Sequence, residues 1–172
     1  MLVYKAMHPG QICRGVKLRP GLNIEPEANC AQNGWHAAED PLDCLKYYPD
    51  EKNSELWVCE ASGDIDEDNF DSKISCTHLT LIKRLSREEF VLHAIAYMLK
   101  HPDRREANDV YDHGTIHIRR GDRPTASGSK GDVIGLLREC AGRQAVAVFT
   151  IDGSEYMPGV EYTLGEEVVE CA

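Results

Sequence analysis

The stretch NGWHAAEDPLDCLKYYP, residues 33–49, decides how this chain is read. It passes from an extended segment into a helix within a few residues. Gly34-Trp35-His36-Ala37-Ala38 suits a short strand. Asp40 then offers an N-cap carboxylate, and Pro41 takes the first helical position, where its missing N–H costs nothing. Asp43 in the first turn suits the helix dipole. Leu42, Leu45 and Tyr48 share one face, and Pro49 stops the helix. Trp35 reads as a packed aromatic whose N–H finds a partner. His36 is the residue that packing explains least. A histidine at a strand end beside a helix N-terminus has a perturbed proton affinity and can donate to a ligand. Of the adjacent Tyr47 and Tyr48, one has to face outward.

Working outward, MLVYKAM (1–7) predicts a first strand, and residues 8–34, rich in Pro, Gly and Asn, predict short strand pieces and turns. SELWVCEASGDI (54–65) predicts a strand with Leu56, Val58 and Glu60 on one face and Trp57, Cys59 and Ala61 on the other. DIDEDNFD (64–71) reads as an acidic, solvated loop. A calcium loop would need a turn glycine and a final carboxylate, and Ser75 stands where that carboxylate belongs. SKISCTHLTLIKRL (72–85) predicts another strand. SREEFVLHAIAYMLKH (86–101) is the clearest helix, with Ser86 and Glu89 as a capping box and Val91, Ala94, Ile95 and Met98 at helical spacing. His93 lies beside that face as a packed or half-exposed histidine.

The last third changes character. Residues 113–132 predict a short strand and then a Gly-, Ser- and Arg-rich loop. DVIGLLREC (132–140) and QAVAVFTI (144–151) flank Ala141-Gly142-Arg143 as a hairpin. Asp152 to Gly159 is turn chemistry, and residues 160–164 and 167–170 close the chain as strands. The expected class is α+β: strand-rich, with mixed or antiparallel sheets, one long helix and one short one. The expected divisions are an N-terminal α+β domain (1–107), a loop linker (108–131) and a C-terminal β-meander (132–172).

Composition narrows the function classes. The 172 residues are 42% hydrophobic and 28% charged, which is enough apolar material for a core. A net charge of −10 argues against nonspecific nucleic-acid binding, which needs a basic surface. It suits solubility or a basic protein partner. No apolar run approaches the roughly 20 residues that span a bilayer, and the N-terminus lacks a signal-peptide pattern. The expected location is the cytoplasm. Seven cysteines, at 13, 30, 44, 59, 76, 140 and 171, form no CxxC pair and read mostly as small buried hydrophobes. Cys30, His36 and Cys44 match no structural zinc spacing, and His113 with His117, at i, i+4 on one strand side, lack a third ligand. No metal is expected. Neither a nucleophile elbow nor a phosphate loop is present.

Several segments together carry a resemblance: Lys5-Ala6-Met7, Cys13-Arg14-Gly15, the 33–49 stretch, VCEASGD (58–64), EEFVLHAIAYML (88–99) and the tail from Ser127 to Glu170. They resemble an uncharacterised domain family of phages and prophages. Its members run from an aromatic-Lys start through a Cys-x-Gly turn and a GFH…ENPLDVL-YYP segment to a VDG-type tail, with a repeat tract reduced here to residues 120–131. The resemblance implies a phage or mobile-element protein acting inside a bacterium, and no activity. On that footing the expectation is an accessory protein that binds a host protein, a defence-system component included. It would do so through the acidic residues Asp64, Asp66, Glu67, Asp68 and Asp71 and the Trp35–Tyr48 region. The repeat remnant alone would suit a structural phage component.

A more distant resemblance, to ADP-ribosyltransferase-like folds, supplies the alternative of an enzyme that modifies a host target with NAD. It places Tyr4 and Lys5 where an aromatic-His or aromatic-Arg pair holds nicotinamide and ribose. Trp35 and His36, with Gly34 and Ala37, stand in for a second strand, and Tyr47 or Tyr48 for a stacking aromatic. Glu139 or Glu161 would supply the carboxylate that orients the ribose. Lys5 departs from the pattern because it is a point charge without a planar fork. Ala6 departs too, replacing a glycine, and no Glu-x-Glu pair occurs.

Overall fold

The computed structural model describes residues 1–30, 32–48, 52–67, 71–104, 110–140 and 142–164. The chain forms two compact units, residues 1–86 and 87–172. Both are strand-rich, and the class is α+β. The sequence-based division differs in placing the long helix with the N-terminal part.

The first unit is built on β1 (Leu2–Met7), β4 (Gly21–Ile24), β5 (Trp35–Ala38), β6 (Glu55–Glu67) and β7 (Lys73–Leu85), with a small hairpin of β2 (Ile12–Cys13) and β3 (Val16–Lys17). The sheet order is β4-β7-β5-β1-β6, and every pairing in it is antiparallel. β6 also pairs with β7, so the run β7-β5-β1-β6 closes on itself. Closure removes the free edges that an open sheet of long strands would expose. Two register shifts in the β6–β7 ladder, at Val58/Cys59 and Ser62/Ile65, supply the bending that closure needs.

Alternation along the strands fills the interior. Val3 and Met7 of β1, Trp35 and Ala37 of β5, Trp57, Cys59 and Ala61 of β6, and Ile74, Cys76, Leu79 and Leu81 of β7 form one buried cluster. Each large member contributes about 1.5–3 kcal/mol of apolar burial. Lys5 lies between Val3 and Met7 in this alternation and opposite Trp57 across the ladder. A charged side chain therefore occupies a position of the core face.

The short helix expected after His36 is a 3-10 helix, Pro41–Lys46, capped by the Asp40 side chain, which accepts from the Leu42 N–H at 3.0 Å. Leu42 and Leu45 are buried, as their shared face requires, while Tyr48 is half-buried beyond the helix end. Pro49 lies outside the described residues. The acidic stretch departs from expectation. Asp64, Asp66 and Glu67 belong to β6: the ladder with β7 runs on through Ile65↔Cys76, Asp66↔Ser75 and Glu67↔Ile74, and Asp64, in the bulge before it, donates its N–H to Thr77 Oγ1 at 2.9 Å. Side-chain polarity suggested a loop, but the ladder continues beneath exposed carboxylates. Asp68 lies outside the described residues.

The second unit carries α1 (Arg87–Lys100), β8 (Val110–His113), β9 (Ile116–Gly121), β10 (Thr125–Ala126), β11 (Val133–Cys140), β12 (Arg143–Thr150) and β13 (Tyr162–Thr163). Its main sheet runs β12-β11-β9-β8, with β9 and β11 parallel, so the sheets of the chain are mixed as a whole. β11 is apolar on both faces for a reason. Ile134 and Leu136 join Ala126 and Ile151 in a cluster, while Gly135 lies under α1, where an added Cβ would come within 2.6 Å of Val91 Cγ1. The expected linker 108–131 thus contributes β8, β9 and β10. The strand expected at 167–170 lies outside the described residues. No helix among the described residues is long and apolar enough to cross a membrane.

Candidate functional site

A cavity of about 450 Å³ opens in the first unit. Its wall takes Tyr4, Lys5 and Ala6 from β1, His36, Ala37 and Ala38 from β5, and Cys44, Tyr47 and Tyr48 from the 3-10 helix and its exit. His8, Cys13, Arg14 and Lys73 complete it. Its size falls in the range of small-molecule sites.

The local chemistry of residues 38–48 explains why these side chains converge. Ser72, just before β7, donates from its N–H and its hydroxyl to Asp43 Oδ2 at 3.0 and 2.6 Å, and its Oγ accepts the Asp40 N–H at 2.9 Å. That triple contact ties the 3-10 helix to the sheet and sets Tyr47 and Tyr48 at the cavity. Burial raises the Asp43 carboxyl, but hydrogen bonds from Lys46 and Ser72 outweigh it and hold the group below its usual range. Beyond the helix, the Tyr48 hydroxyl meets Cys13 Sγ at 3.3 Å, and its ring meets His8 edge-on at 5.2 Å. The Tyr47 hydroxyl donates to Asp71 at 3.0 Å and accepts from Lys73 at 3.1 Å.

Lys5 is the unusual member. It is 3% exposed, and its Nζ donates to the His36 carbonyl oxygen at 2.5 Å. Among the described residues that is its hydrogen bond, and no carboxylate pairs with it. Arg14 reaches the cavity from the β2–β3 turn. There Arg14 and Gly15 both have positive φ, 49° and 79°, as a two-residue hairpin of the I′ kind demands. Glycine meets that demand freely, whereas an arginine is strained there.

The electrostatics follow from this crowd of cations. Burial, and then Arg14, Lys5 and Lys73, push the His36 imidazole down to about 4, so it is neutral at physiological pH and can both donate and accept. Burial first, and then Cys13, raises the Tyr48 phenol, and burial raises Tyr4, so both are hydroxyl donors. Burial also pushes up the thiols of Cys44, Cys59 and Cys76, the last two to about 12 and about 11, which leaves them protonated and poor nucleophiles.

Of the residues singled out from the sequence, Tyr4, Lys5, His36, Tyr47 and Tyr48 come together at this cavity. Trp35 faces the core cluster instead, because alternation along β5 sends it opposite to His36. Glu139 and Glu161 belong to the second unit; Glu139 pairs with Arg120 at 2.5 Å, and Glu161 is exposed ahead of β13. Asp64, Asp66 and Glu67 are exposed along β6, with Asp66 accepting the Cys30 N–H at 2.6 Å. Asp71 serves the Tyr47 hydroxyl and the Lys73 N–H. His113 and His117 do not share a strand. They sit on β8 and β9 across a turn, where His113 faces Ile116 and His117 faces Asp112. His117 lies between Asp112 at 2.7 Å and Asp132 at 3.2 Å. Among the described residues no three His, Cys, Asp or Glu side chains group as metal ligands. Cys13 and Cys30 are half-buried and Cys44, Cys59 and Cys76 are buried, all five as thiols, and Cys171 lies outside the described residues.

Sequence reasoning missed Arg14, His8 and Lys73 as cavity residues. The Cys13-Arg14-Gly15 turn was visible as a motif, but only the tertiary fold brings that turn to Tyr48.

Residues 1–93 match the model of a family described as Domain of unknown function (DUF7666), and the chain belongs to that family. No curated protein and no solved structure matches the chain.

Proposed function

We propose that this member of the DUF7666 family is a binding domain whose cavity takes a small anionic molecule bearing a planar ring. One observation carries the reading. In a chain of net charge −10, the described residues of the cavity lining include Lys5, Arg14, Lys73, His8 and His36 and no carboxylate. Lys5 and Arg14, which pair with no carboxylate among the described residues, attract an anion strongly in this partly desolvated space. The rings of Tyr4, Tyr47, Tyr48 and His8 and the methyls of Ala37 and Ala38 offer apolar surface to an organic body. The neutral His36 and the two phenols supply directional hydrogen bonds.

NAD belongs to this ligand class, and ADP-ribosyl transfer from it to a host target is the enzymatic version of the reading. Transfer also needs a carboxylate to orient the ribose as the glycosidic bond loosens. The described residues of the lining offer none, so binding is the better supported activity. Calorimetric titration of the full chain with AMP, ADP-ribose and NAD tests it. Binding that Lys5→Met and Arg14→Ala both weaken supports the cavity, and no heat with any of the three removes it. Label transfer from NAD in a bacterial lysate, lost in Glu139→Gln/Glu161→Gln, would restore the transferase.

A second reading rests on a different feature. Asp64, Asp66 and Glu67 stand exposed in one strand segment, suited to a basic patch on a partner protein. Here the chain is an accessory protein of a phage or mobile element, acting on a host protein in the bacterial cytoplasm. Asp64→Asn/Asp66→Asn/Glu67→Gln should then abolish capture of a specific host protein and make capture of the wild type salt-sensitive. A triple variant that captures the same protein equally well ends this reading.

A further inference from the structure

We propose that the ligand's anionic end is a phosphate monoester, a dianion seated against Lys5 and Arg14. This rests on the reading of the cavity as an anion site and narrows it to a chemical class.

The charge count carries the inference. Lys5 and Arg14 line one cavity, and both lie within electrostatic reach of the His36 ring. Among the described residues, neither pairs with a carboxylate. Lys73 is differently placed, since it donates to the Tyr47 hydroxyl and lies 4.9 Å from that ring's centre. The nearby carboxylates are committed: Asp40 accepts the Leu42 N–H, and Asp71 accepts from the Tyr47 hydroxyl and the Lys73 N–H. No carboxylate among the described residues lines the cavity beside Lys5 and Arg14, so two unit charges are left for the ligand. A phosphate monoester above its second pKa, about 6, carries nearly two negative charges and three strong acceptor oxygens. A carboxylate, a sulfate ester or a phosphodiester carries one charge and leaves a cation unmatched.

Burial makes the mismatch matter. Lys5, at 3% exposure, gives one hydrogen bond to a carbonyl and retains two further N–H donors. A buried ammonium without an anion is costly. Arg14 adds the planar fork that binds phosphate oxygens in pairs. It does so from a left-handed backbone position at φ 49°, a strained geometry of the kind that gathers at ligand clamps. The Tyr48 ring, with His8 edge-on at 5.2 Å, lies on the same lining and receives the ring that the phosphate is attached to.

The test compares isosteres by calorimetry at pH 7.5 with the full chain. Phenyl phosphate is set against phenyl sulfate, and AMP against its phosphate methyl ester. The expected result is at least tenfold tighter binding of each monoester than of its singly charged counterpart. Lys5→Met and Arg14→Ala should each cost the monoesters tenfold or more and shrink that preference. Arg14 sits on an exposed turn, so its variant remains informative if Lys5→Met fails to fold. Equal affinity for phenyl phosphate and phenyl sulfate overturns the dianion while leaving an anion cavity in place. If none of the four compounds binds, the cavity reading falls with it.

Discussion

The Lys5 ammonium donates to the backbone carbonyl of His36 at 2.5 Å, adding a side-chain tie between the paired strands β1 and β5 in the lining of a cationic cavity. A carbonyl is a modest partner for a buried charge. Lys5 stands at a core-facing position between Val3 and Met7, where an apolar residue would pack without penalty. Replacing a buried charge by a hydrophobe of similar length often stabilises by about 1–4 kcal/mol. Lys5→Met is therefore expected to raise the urea midpoint, by about 1–3 kcal/mol of stability, while anion binding is lost. A variant destabilised by several kcal/mol would mean that Lys5 serves the fold.

Arg14 leads to a parallel expectation on the hairpin. Left-handed backbone costs a non-glycine residue about 1 kcal/mol. Arg14→Gly removes that cost at a turn where the next residue, Gly15, already has φ 79°. The melting temperature should rise slightly and phosphate affinity should fall. A lower melting temperature would show that the arginine side chain holds the hairpin down.

Much of the frame was legible in the sequence for local reasons. Asp40-Pro41 marks a helix start because the carboxylate and the ring act within two residues. The alternation in 72–85 and the apolar stripe of 87–100 follow from strand and helix periods. The acidic segment was misread because polarity was taken for a loop. Backbone pairing with β7 does not register in side-chain composition, and exposed carboxylates are compatible with a ladder. His113 and His117 were misread for a related cause, as the turn at Gly114 and Thr115 places them on two strands. His36 stands out locally as the residue that packing explains least, Lys5 enters through a resemblance, and their meeting is a tertiary fact. Arg14 was out of reach, since nothing local says that residue 14 faces residue 48.

Ser72 holds the helix that carries the tyrosines. Its hydroxyl donates to Asp43 and accepts from the Asp40 N–H, while its own N–H donates to Asp43. Ser72→Ala removes two of these contacts and leaves the Asp40 N–H unsatisfied in a buried position. Each lost buried partner costs about 1–3 kcal/mol. Unfolding in urea should register a loss of about 2 kcal/mol, and ligand affinity should weaken as Tyr48 loses its fixed place. A variant with wild-type stability would show that the 3-10 helix is held by its apolar face alone.

Acid should act on the fold through His36 before it acts on the carboxylates. The folded imidazole is held at about 4, against 6.5 for the free side chain, so between those values the unfolded chain binds the extra proton. Stability is then full above pH 6.5 and declines as pH falls toward 4. The ring is only half-buried, and solvent screening reduces the effect to on the order of 1–2 kcal/mol. Asp43, Glu55 and Asp112 are also held below their usual range, so their contribution is lost at still lower pH. His36→Gln removes the proton site and should flatten the stability profile between pH 7 and 5 while leaving the steeper acid limb. Burial holds the ring neutral first and the charges of Arg14 and Lys5 add to it; a bound dianion offsets the second contribution, so binding should draw a proton onto His36. Titrations at pH 6 in buffers of different ionisation enthalpy measure that uptake, which the wild type should show and His36→Gln should lack. Equal proton uptake by both proteins would place the linked proton on the ligand or on another group, and His36 would be a hydrogen-bonding wall residue only.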